Sequence, residues 1–220
     1  MNAPLVWLQS LNGRAIDMVE PRADQVDFAE IADTLSTLNR YSGAAEKPVS
    51  VALHTLVALD CAIAFGANPR WRALVLLHDL HEQRLGDETT PCFQAMLAIA
   101  LQVFGLKAED HVRQVRAELR HRHDIAIHVA AGIAMPTAEE RLFIRFCDIA
   151  ALKTERRDFL ATPPMPWGEE IEHAPALPRP IRWRKPPDAA ADLKQAFIDY
   201  LPGARAQSDR APANTARVPA

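Results

Sequence analysis

One stretch of the sequence reads LVLLHDL, from residue 74 to residue 80. Four aliphatic side chains are followed there by the adjacent ionisable pair His78 and Asp79. Burying two ionisable groups at the end of an apolar run costs free energy unless both find strong partners. A divalent metal ion is such a partner, because it binds an imidazole nitrogen and a carboxylate oxygen together. The stretch therefore predicts a core helix that carries a candidate metal site.

Apolar residues recur at helical spacing along most of the chain, and the alternation typical of strands never extends beyond a few residues. Gly86 lies where a helix commonly ends, and Thr137 with Glu140 has the spacing of a capping box. These patterns predict an all-α fold. The predicted helices cover residues 27–41, 49–65, 70–85, 92–104, 108–121, 124–133, 138–159 and 189–201.

The composition changes after Leu160. Eight of the 17 prolines lie between residues 161 and 188, which excludes a continuous helix there. Large apolar residues in this segment, such as Trp167 and Trp183, indicate an extended strap packed on the domain. We therefore predict one helical domain over residues 1–201, with the proline-rich strap at 161–188. Residues 202–220 have almost no large apolar groups and are predicted to be a disordered tail.

The overall composition is that of an ordinary soluble globular protein. Of 220 residues, 49% are hydrophobic and 24% are charged, with a formal net charge of −3. This balance excludes disorder over the whole length and disfavours a dedicated nucleic-acid binder. The most apolar stretch, 92–106, is shorter than a membrane span, and the first dozen residues lack the features of a signal peptide. We expect a soluble, cytoplasmic protein.

Two further ionisable residues interrupt apolar helices. His54 shares a helix face with apolar residues at 57, 58 and 61, and Asp148 lies within the apolar run at 146–152. With His78 and Asp79 they form a candidate site of two histidines and two carboxylates from three helices. Mn²⁺, Co²⁺, Fe²⁺, Zn²⁺ and Ni²⁺ all accept such ligands, so the identity of the divalent transition metal stays open.

These residues also have a structural interpretation. A single buried histidine such as His54 is more often hydrogen-bonded in a core than bound to a metal. Asp148 can pair with Arg145, Arg141 or Lys153 on its own helix. The coincidence of four such interruptions in one small domain favours the metal site.

Two more acidic residues lie close to the ionisable pair. Glu82 follows His78 by four residues and Asp79 by three, so all three share a helix face. Glu82 can thus project into the same pocket without binding the metal, and Asp87 can close the same end of the site. His81, by contrast, is expected to point away from it.

The ordered motifs resemble one enzyme family. Residues 77–87, LHDLHEQRLGD, followed by TP at 90–91, are similar to the segment "LHDxxExxxGDxxxP" of bacterial 5′-deoxynucleotidases and their phage-associated relatives. These belong to the HD-domain phosphohydrolase superfamily. Upstream, NGR at 12–14 and SVALH at 50–54 are similar to the same subgroup, as is TERRD at 154–158 downstream.

The resemblance implies a helical HD-domain bundle that binds a metal ion through His54, His78, Asp79 and Asp148. It implies release of phosphate from (deoxy)nucleoside 5′-monophosphates by a homo-oligomer, a dimer or larger.

Four further residues have expected roles in this reaction. Glu82 is the candidate general acid for the leaving 5′-oxygen, and Asp87 orients water or contacts the sugar. Arg40 offers a fork-shaped cation for the phosphate. Tyr41 is expected to stack on the base or to anchor its helix, and it stands where the bacterial 5′-deoxynucleotidases carry a tryptophan implicated in excluding the ribose 2′-hydroxyl.

Two alternative functions stay open at this point. The first is a deoxynucleoside triphosphohydrolase that releases triphosphate, for which Arg84, Arg156 and Arg157 are candidate contacts to the β and γ phosphates. The second is a non-catalytic, nucleotide-sensing HD protein, which the loss of Glu82 or of a metal ligand would indicate. Neither loss is seen.

Overall fold

The computed structural model describes residues 6–210 and is mainly helical, as predicted. A short antiparallel hairpin precedes the helices and pairs strand β1 (Trp7–Gln9) with strand β2 (Ala15–Asp17). The helices are α1 (Phe28–Thr37), α2 (Val51–Ala64), α3 (Pro69–Leu77), α4 (Glu82–Leu85), α5 (Thr90–Phe104), α6 (Ala108–Ala131), α7 (Ala138–Phe159), α8 (Glu169–His173), α9 (Pro186–Tyr200) and α10 (Pro202–Arg210).

Helix α2 forms the centre of the bundle because it is apolar on nearly every face. Eleven of its 14 residues are buried, and it packs on α1, α3, α7 and α9. Ser50 caps its start, where the side-chain oxygen accepts a hydrogen bond from the backbone N–H of Leu53 at 3.1 Å. One side of α2 contributes to a core with α1 and α9, and another to a core with α3 and α7. His54 lies in the middle of this helix.

The predicted helix over 70–85 is wrong in one respect, since the chain leaves α3 at Leu77 and re-enters a helix at Glu82. Between them, the N–H groups of Leu80 and Glu82 donate to carbonyls three residues back, at 3.4 and 3.0 Å, instead of four. Bonds of this kind tighten the turn and rotate the side chains away from a straight α-helical face. The predicted end of this helix is confirmed, because α4 ends at Gly86, which has φ +82°.

Two of the predicted helices, 108–121 and 124–133, are a single helix, α6. The charged run at residues 120–124, where the predicted helices were separated, contains neither proline nor glycine to break the helix. The ring of His123 is buried and donates from Nε2 to the carbonyl of Met18 at 3.2 Å. Helix α6 ends instead at Gly132, in the left-handed conformation.

Helix α7 has the predicted bounds and the predicted capping box. The N–H of Glu140 donates to the hydroxyl of Thr137 at 3.3 Å, and the N–H of Thr137 donates to the Glu140 carboxylate at 2.9 Å. The same carboxylate accepts a hydrogen bond from Arg70 Nε at 2.6 Å. The cap thereby also ties α7 to α3.

The proline-rich segment lies against α7 and the start of α2. The backbone N–H groups of Leu177 and Ile181 donate to the side chains of Thr154 and Asp158, at 3.0 and 2.7 Å. The indole of Trp183 donates to the carbonyl of Pro48 at 2.8 Å. Side chains of the bundle therefore satisfy the backbone of an extended segment.

The prediction of disorder from Pro202 onward is wrong for residues 202–210, which form α10. Gly203 allows this helix to approach α6 closely, because a Cβ there would lie 1.8 Å from the carbonyl oxygen of Ala130. The side chain of Gln207 exchanges hydrogen bonds with the backbone of Val26 and Phe28. Residues 211–220 of the predicted tail lie outside the described residues. Within 6–210, no helix has the length and apolar character needed to cross a membrane.

Removing the α7 cap provides a test of this fold. In Thr137→Ala, the N–H of Glu140 loses its acceptor, so we expect the free energy of unfolding to fall by about 1 kcal/mol. Urea denaturation followed by circular dichroism measures this change. Thr162→Ala, at an exposed threonine of the strap, is the matched control, and equal stability of the two variants would contradict the role of the cap.

Candidate metal centre

The four predicted ligands lie together where three segments meet. His54 comes from α2, Asp148 from α7, and His78 and Asp79 from the turn after α3. The Nε2 atom of His54 is 3.3 Å from that of His78 and 3.2 Å from Asp148 Oδ1. His78 Nε2 is 3.1 Å from Asp79 Oδ2. One ligand atom from each residue lies within 4.8 Å of all the others, so the group could bind a metal ion.

Hydrogen bonds at the far nitrogens hold both imidazole rings in place. His78 Nδ1 donates to the carbonyl of Val75 at 2.7 Å, and His54 Nδ1 lies 2.7 Å from the carboxylate of Glu155. A proton on each Nδ1 leaves an Nε2 lone pair on each ring, and both lone pairs face the same small space. Histidine ligands of metals show this arrangement, so the donor set fits a cation.

The charges packed around the four candidate ligands also determine the directions in which their pKa values shift. Burial and Arg40 lower the pKa of His54, but Glu155 and Asp148 outweigh them and raise it to about 10. Burial raises the pKa of Asp79, but the two histidines and Arg40 hold it well below its usual range. The closely packed carboxylates are thus stabilised by nearby positive charge, which either protons on the histidines or a metal ion can provide.

Sequence reasoning assigned no role to Glu155, although it is fully buried beneath the site. Besides His54, its carboxylate accepts a hydrogen bond from the hydroxyl of Tyr41 at 2.5 Å and lies 3.3 Å from Arg40 Nε. It follows Asp148 by seven residues, two helical turns along the same face of α7. That spacing was the signal that could have identified it.

Arg40 and Tyr41 lie beside the ligands and after the end of α1 at Thr37, where Tyr41 begins a short 3-10 turn that ends at Gly43. Arg40 Nη1 is 3.8 Å from Asp79 Oδ2, and the Arg40 side chain is 11% exposed. Tyr41 has φ +58°, an uncommon conformation for a non-glycine residue. Its hydroxyl is bound to Glu155, and its ring centre lies 6.2 Å from that of Trp167 in the strap. Tyr41 therefore anchors Glu155.

Glu82 is the first residue of α4 and is 5% exposed. Burial is the main reason that its pKa rises to about 8, and the negative charges of Asp79 and Asp87 contribute. Burial also raises the pKa of Asp87. A carboxyl that keeps its proton near neutral pH can act as a general acid.

The expectation that His81 points away from the site is wrong, because the turn at 78–81 redirects it. His81 is buried, and one of its ring nitrogens lies within 4.8 Å of carboxylate oxygens of both Asp79 and Glu82. Its Nδ1 is 3.0 Å from Asp124 Oδ1 on α6.

The arginines considered for additional phosphates are engaged elsewhere. Arg84 donates to the carbonyl of Gln25 at 2.8 Å, Arg156 to Glu172 at 2.6 Å, and Arg157 to Asp158 at 2.7 Å. The suggested partners of Asp148 are engaged too: Arg145 pairs with Glu170, Arg141 donates to the carbonyl of Pro136, and Lys153 pairs with Glu172.

No protein-family model matches the chain. Over 91 residues, 39% of its length, the chain is 35% identical to an uncharacterized protein of Rhodobacter capsulatus. The match covers about 45% of that relative, so the chain spans less than half of it. Because the relative is uncharacterized, the likeness assigns no activity.

Glu155 provides the test of this arrangement. Glu155→Gln keeps the side-chain volume but removes the charge that orients His54, so we expect Mn²⁺ or Zn²⁺ to bind about 10- to 100-fold more weakly. Isothermal titration calorimetry measures the dissociation constant. Glu139→Gln, at an exposed glutamate of the same helix, should leave it unchanged, and equal affinity in both variants would contradict the positioning role.

Proposed function

We propose that the chain is a cytoplasmic, metal-dependent phosphohydrolase that releases phosphate from (deoxy)nucleoside 5′-monophosphates. The observation that carries the proposal is the convergence of His54, His78, Asp79 and Asp148. Arg40 and Glu82, which we assign to phosphate binding and proton donation, lie next to Asp79 of this cluster. Resemblance to the HD-domain phosphohydrolases supplies the reaction class, and the geometry supports it.

The four clustered residues would hold the ion. A bound divalent ion would supply positive charge to a phosphate oxygen and make water more acidic. His54 and His78 present their Nε2 atoms to it, and backbone and carboxylate partners prevent the two rings from turning away. Mixed nitrogen and oxygen ligands admit Mn²⁺, Co²⁺, Fe²⁺, Zn²⁺ or Ni²⁺.

Arg40 is the residue that we assign to the phosphate. Its guanidinium is 3.8 Å from Asp79, and Glu155 holds it from behind at 3.3 Å. A planar guanidinium binds two phosphate oxygens at once and stays charged at any physiological pH. Arg40 therefore orients the ester beside the ligand cluster.

Glu82 is the residue that we assign to the leaving group. Cleavage of the ester leaves negative charge on the 5′-oxygen, and a proton delivered there lowers the barrier. Burial and the charges of Asp79 and Asp87 raise the pKa of Glu82 to about 8, which favours the acid form at neutral pH. Asp87 is the second carboxyl at this end, where it would orient water or the sugar.

The charges around the site favour a monophosphate over a triphosphate. Triphosphate binding needs cations for the β and γ phosphates, but Arg156 and Arg157 are paired with acidic side chains. Arg84 is buried, with one nitrogen bound to the carbonyl of Gln25. Arg40 alone of the four arginines considered lies against the ligand cluster. The retention of Glu82 and of all four ligands favours an enzyme over a nucleotide sensor.

A product assay tests the proposal. Metal-depleted protein is supplied in turn with Mn²⁺, Co²⁺, Fe²⁺, Zn²⁺ and Ni²⁺ and incubated with nucleoside and deoxynucleoside mono- and triphosphates. We expect inorganic phosphate from monophosphates with at least one ion. In His78→Ala the rate should fall at least about 100-fold because a ligand is lost. His111→Ala, at an exposed histidine of α6, is the control.

Two results of this assay would contradict the proposal. Release of triphosphate from triphosphates alone would favour the triphosphohydrolase. Nucleotide binding without hydrolysis under any ion would favour the sensor.

A further inference from the structure

A second group of potential ligands adjoins the first and shares one residue with it. Asp79, His81 and Glu82 each offer a ligand atom within 4.8 Å of the other two. All three come from the turn and the first residue of α4, so the tight hydrogen bonding of that turn brings them together.

Two of these side chains have buried atoms without partners. His81 Nε2 and Glu82 Oε2 are inaccessible to solvent, and neither has a hydrogen-bond partner among the described residues. Both residues are 5% exposed. Buried polar atoms are nearly always satisfied in folded proteins, so the unpaired atoms point to a ligand.

The other side of the His81 ring indicates which kind of ligand. Nδ1 lies 3.0 Å from the carboxylate of Asp124, and the carboxylate can only accept, so Nδ1 carries the proton. Nε2 then has a lone pair and needs an electron-pair acceptor. A carboxylate that fixes the far nitrogen is the typical outer partner of a metal-binding histidine.

We propose that a second divalent cation binds between Asp79, His81 and Glu82, and that it inhibits the proposed hydrolysis. Inhibition follows because the ion takes up the carboxylate of Glu82, which then cannot deliver a proton. The second ion binds more weakly than the first, since two cations that share Asp79 repel each other. The inhibitory half rests on the proposed function, whereas the binding half does not.

Mn²⁺ titration with calorimetry and elemental analysis tests the binding half. We expect two ions per chain in the unmodified protein and one in His81→Ala. Asp124→Asn, a milder change, should weaken only the second ion, by about 10- to 100-fold. His128→Asn is the control. His128 is buried like His81 and lies on α6 like Asp124, but its ring bonds to the carbonyl of Ile133. One ion in the unmodified protein, or two in His81→Ala with unchanged affinities, would overturn the site.

The rate of phosphate release tests the inhibitory half. It should rise and then fall with Mn²⁺ concentration, and the fall should disappear in His81→Ala. A rate that stays at its plateau while two ions are bound would overturn inhibition. Hydrolysis with one ion only would leave the proposed function intact but refute the second site, whereas two ions without hydrolysis would do the reverse.

An independent observation concerns α5 and the first half of α6, which form a helical hairpin. Residues 92–106 carry no charge, yet α5 buries only Leu97 and Ala100. Phe104 is 80% exposed, and Leu106 is 88% exposed. A helix that is apolar on all faces is normally buried, so this hairpin exposes a surface that needs a cover.

The exposed side chains have the area and the spacing of an interface. Cys92, Met96, Ile99 and Val103 follow each other at intervals of four, three and four, the repeat of a helix-pairing seam. With about 150–200 Å² per large side chain, the exposed fractions along the hairpin amount to about 800 Å², one partner's share of a standard interface.

We infer that a second copy of this chain covers the hairpin, so that two hairpins form a four-helix bundle about a twofold axis. Helix α5, which carries no charge over residues 92–106, meets its own copy in such a contact, so no like charges from 92–106 oppose each other.

Analytical ultracentrifugation of the full chain tests this inference. We expect a dimer that the double change Ile99→Asp and Val103→Asp converts to a monomer without loss of helicity. Leu142→Asp, at a leucine of α7 that is 71% exposed, should leave the dimer intact. The inference would be overturned by an unmodified chain that is monomeric, with the hairpin covered by its own terminal segments or by another partner. A dimer that the double change leaves intact would also overturn it.

Discussion

The contact between His54 and Glu155 joins the fold to the candidate site. Both residues are fully buried, on two helices that pack along the centre of the bundle. A buried carboxylate is tolerated only when its charge is compensated and its oxygens are hydrogen-bonded. Glu155 meets this condition with His54, Tyr41 and Arg40, which come from two further segments. The contact between His54 and Glu155 therefore both packs α2 on α7 and orients His54, the first candidate ligand.

The turn at 78–81 points four consecutive side chains toward different parts of the structure. His78 and Asp79 face the ligand cluster, Leu80 is fully buried in the apolar core, and His81 reaches α6. A straight helix cannot do this, because residues one and two apart point to different sides at fixed angles. The local tightening lets one short segment serve a core, a candidate metal centre and a second group of ligands.

Sequence reasoning anticipated the helices and the cluster because both depend on burial. Apolar periodicity located α2 and α7, and the interruptions at His54 and Asp148 marked the positions where polar groups face inward. Features that depend on tertiary contacts were missed. Nothing local breaks the helix at Leu77, α10 is held by its approach to Ala130, and Glu155 is explained only by its partners across the bundle. The reaction itself rests on resemblance and stays a proposal.

The crowding of ionisable groups around Asp79 has a thermodynamic consequence. Folding brings Asp79, Glu82 and Asp148 close together. Burial and the charge of Asp79 raise the pKa of Glu82, whereas the two histidines hold the pKa of Asp79 and that of Asp148 below the usual range. The unfolded chain has no such assembled set of donors. A ligand that binds only the folded form stabilises it more and more as the free ligand concentration rises above the dissociation constant. A divalent cation that bound this cluster would therefore raise the folded fraction of the chain as well as fill the site.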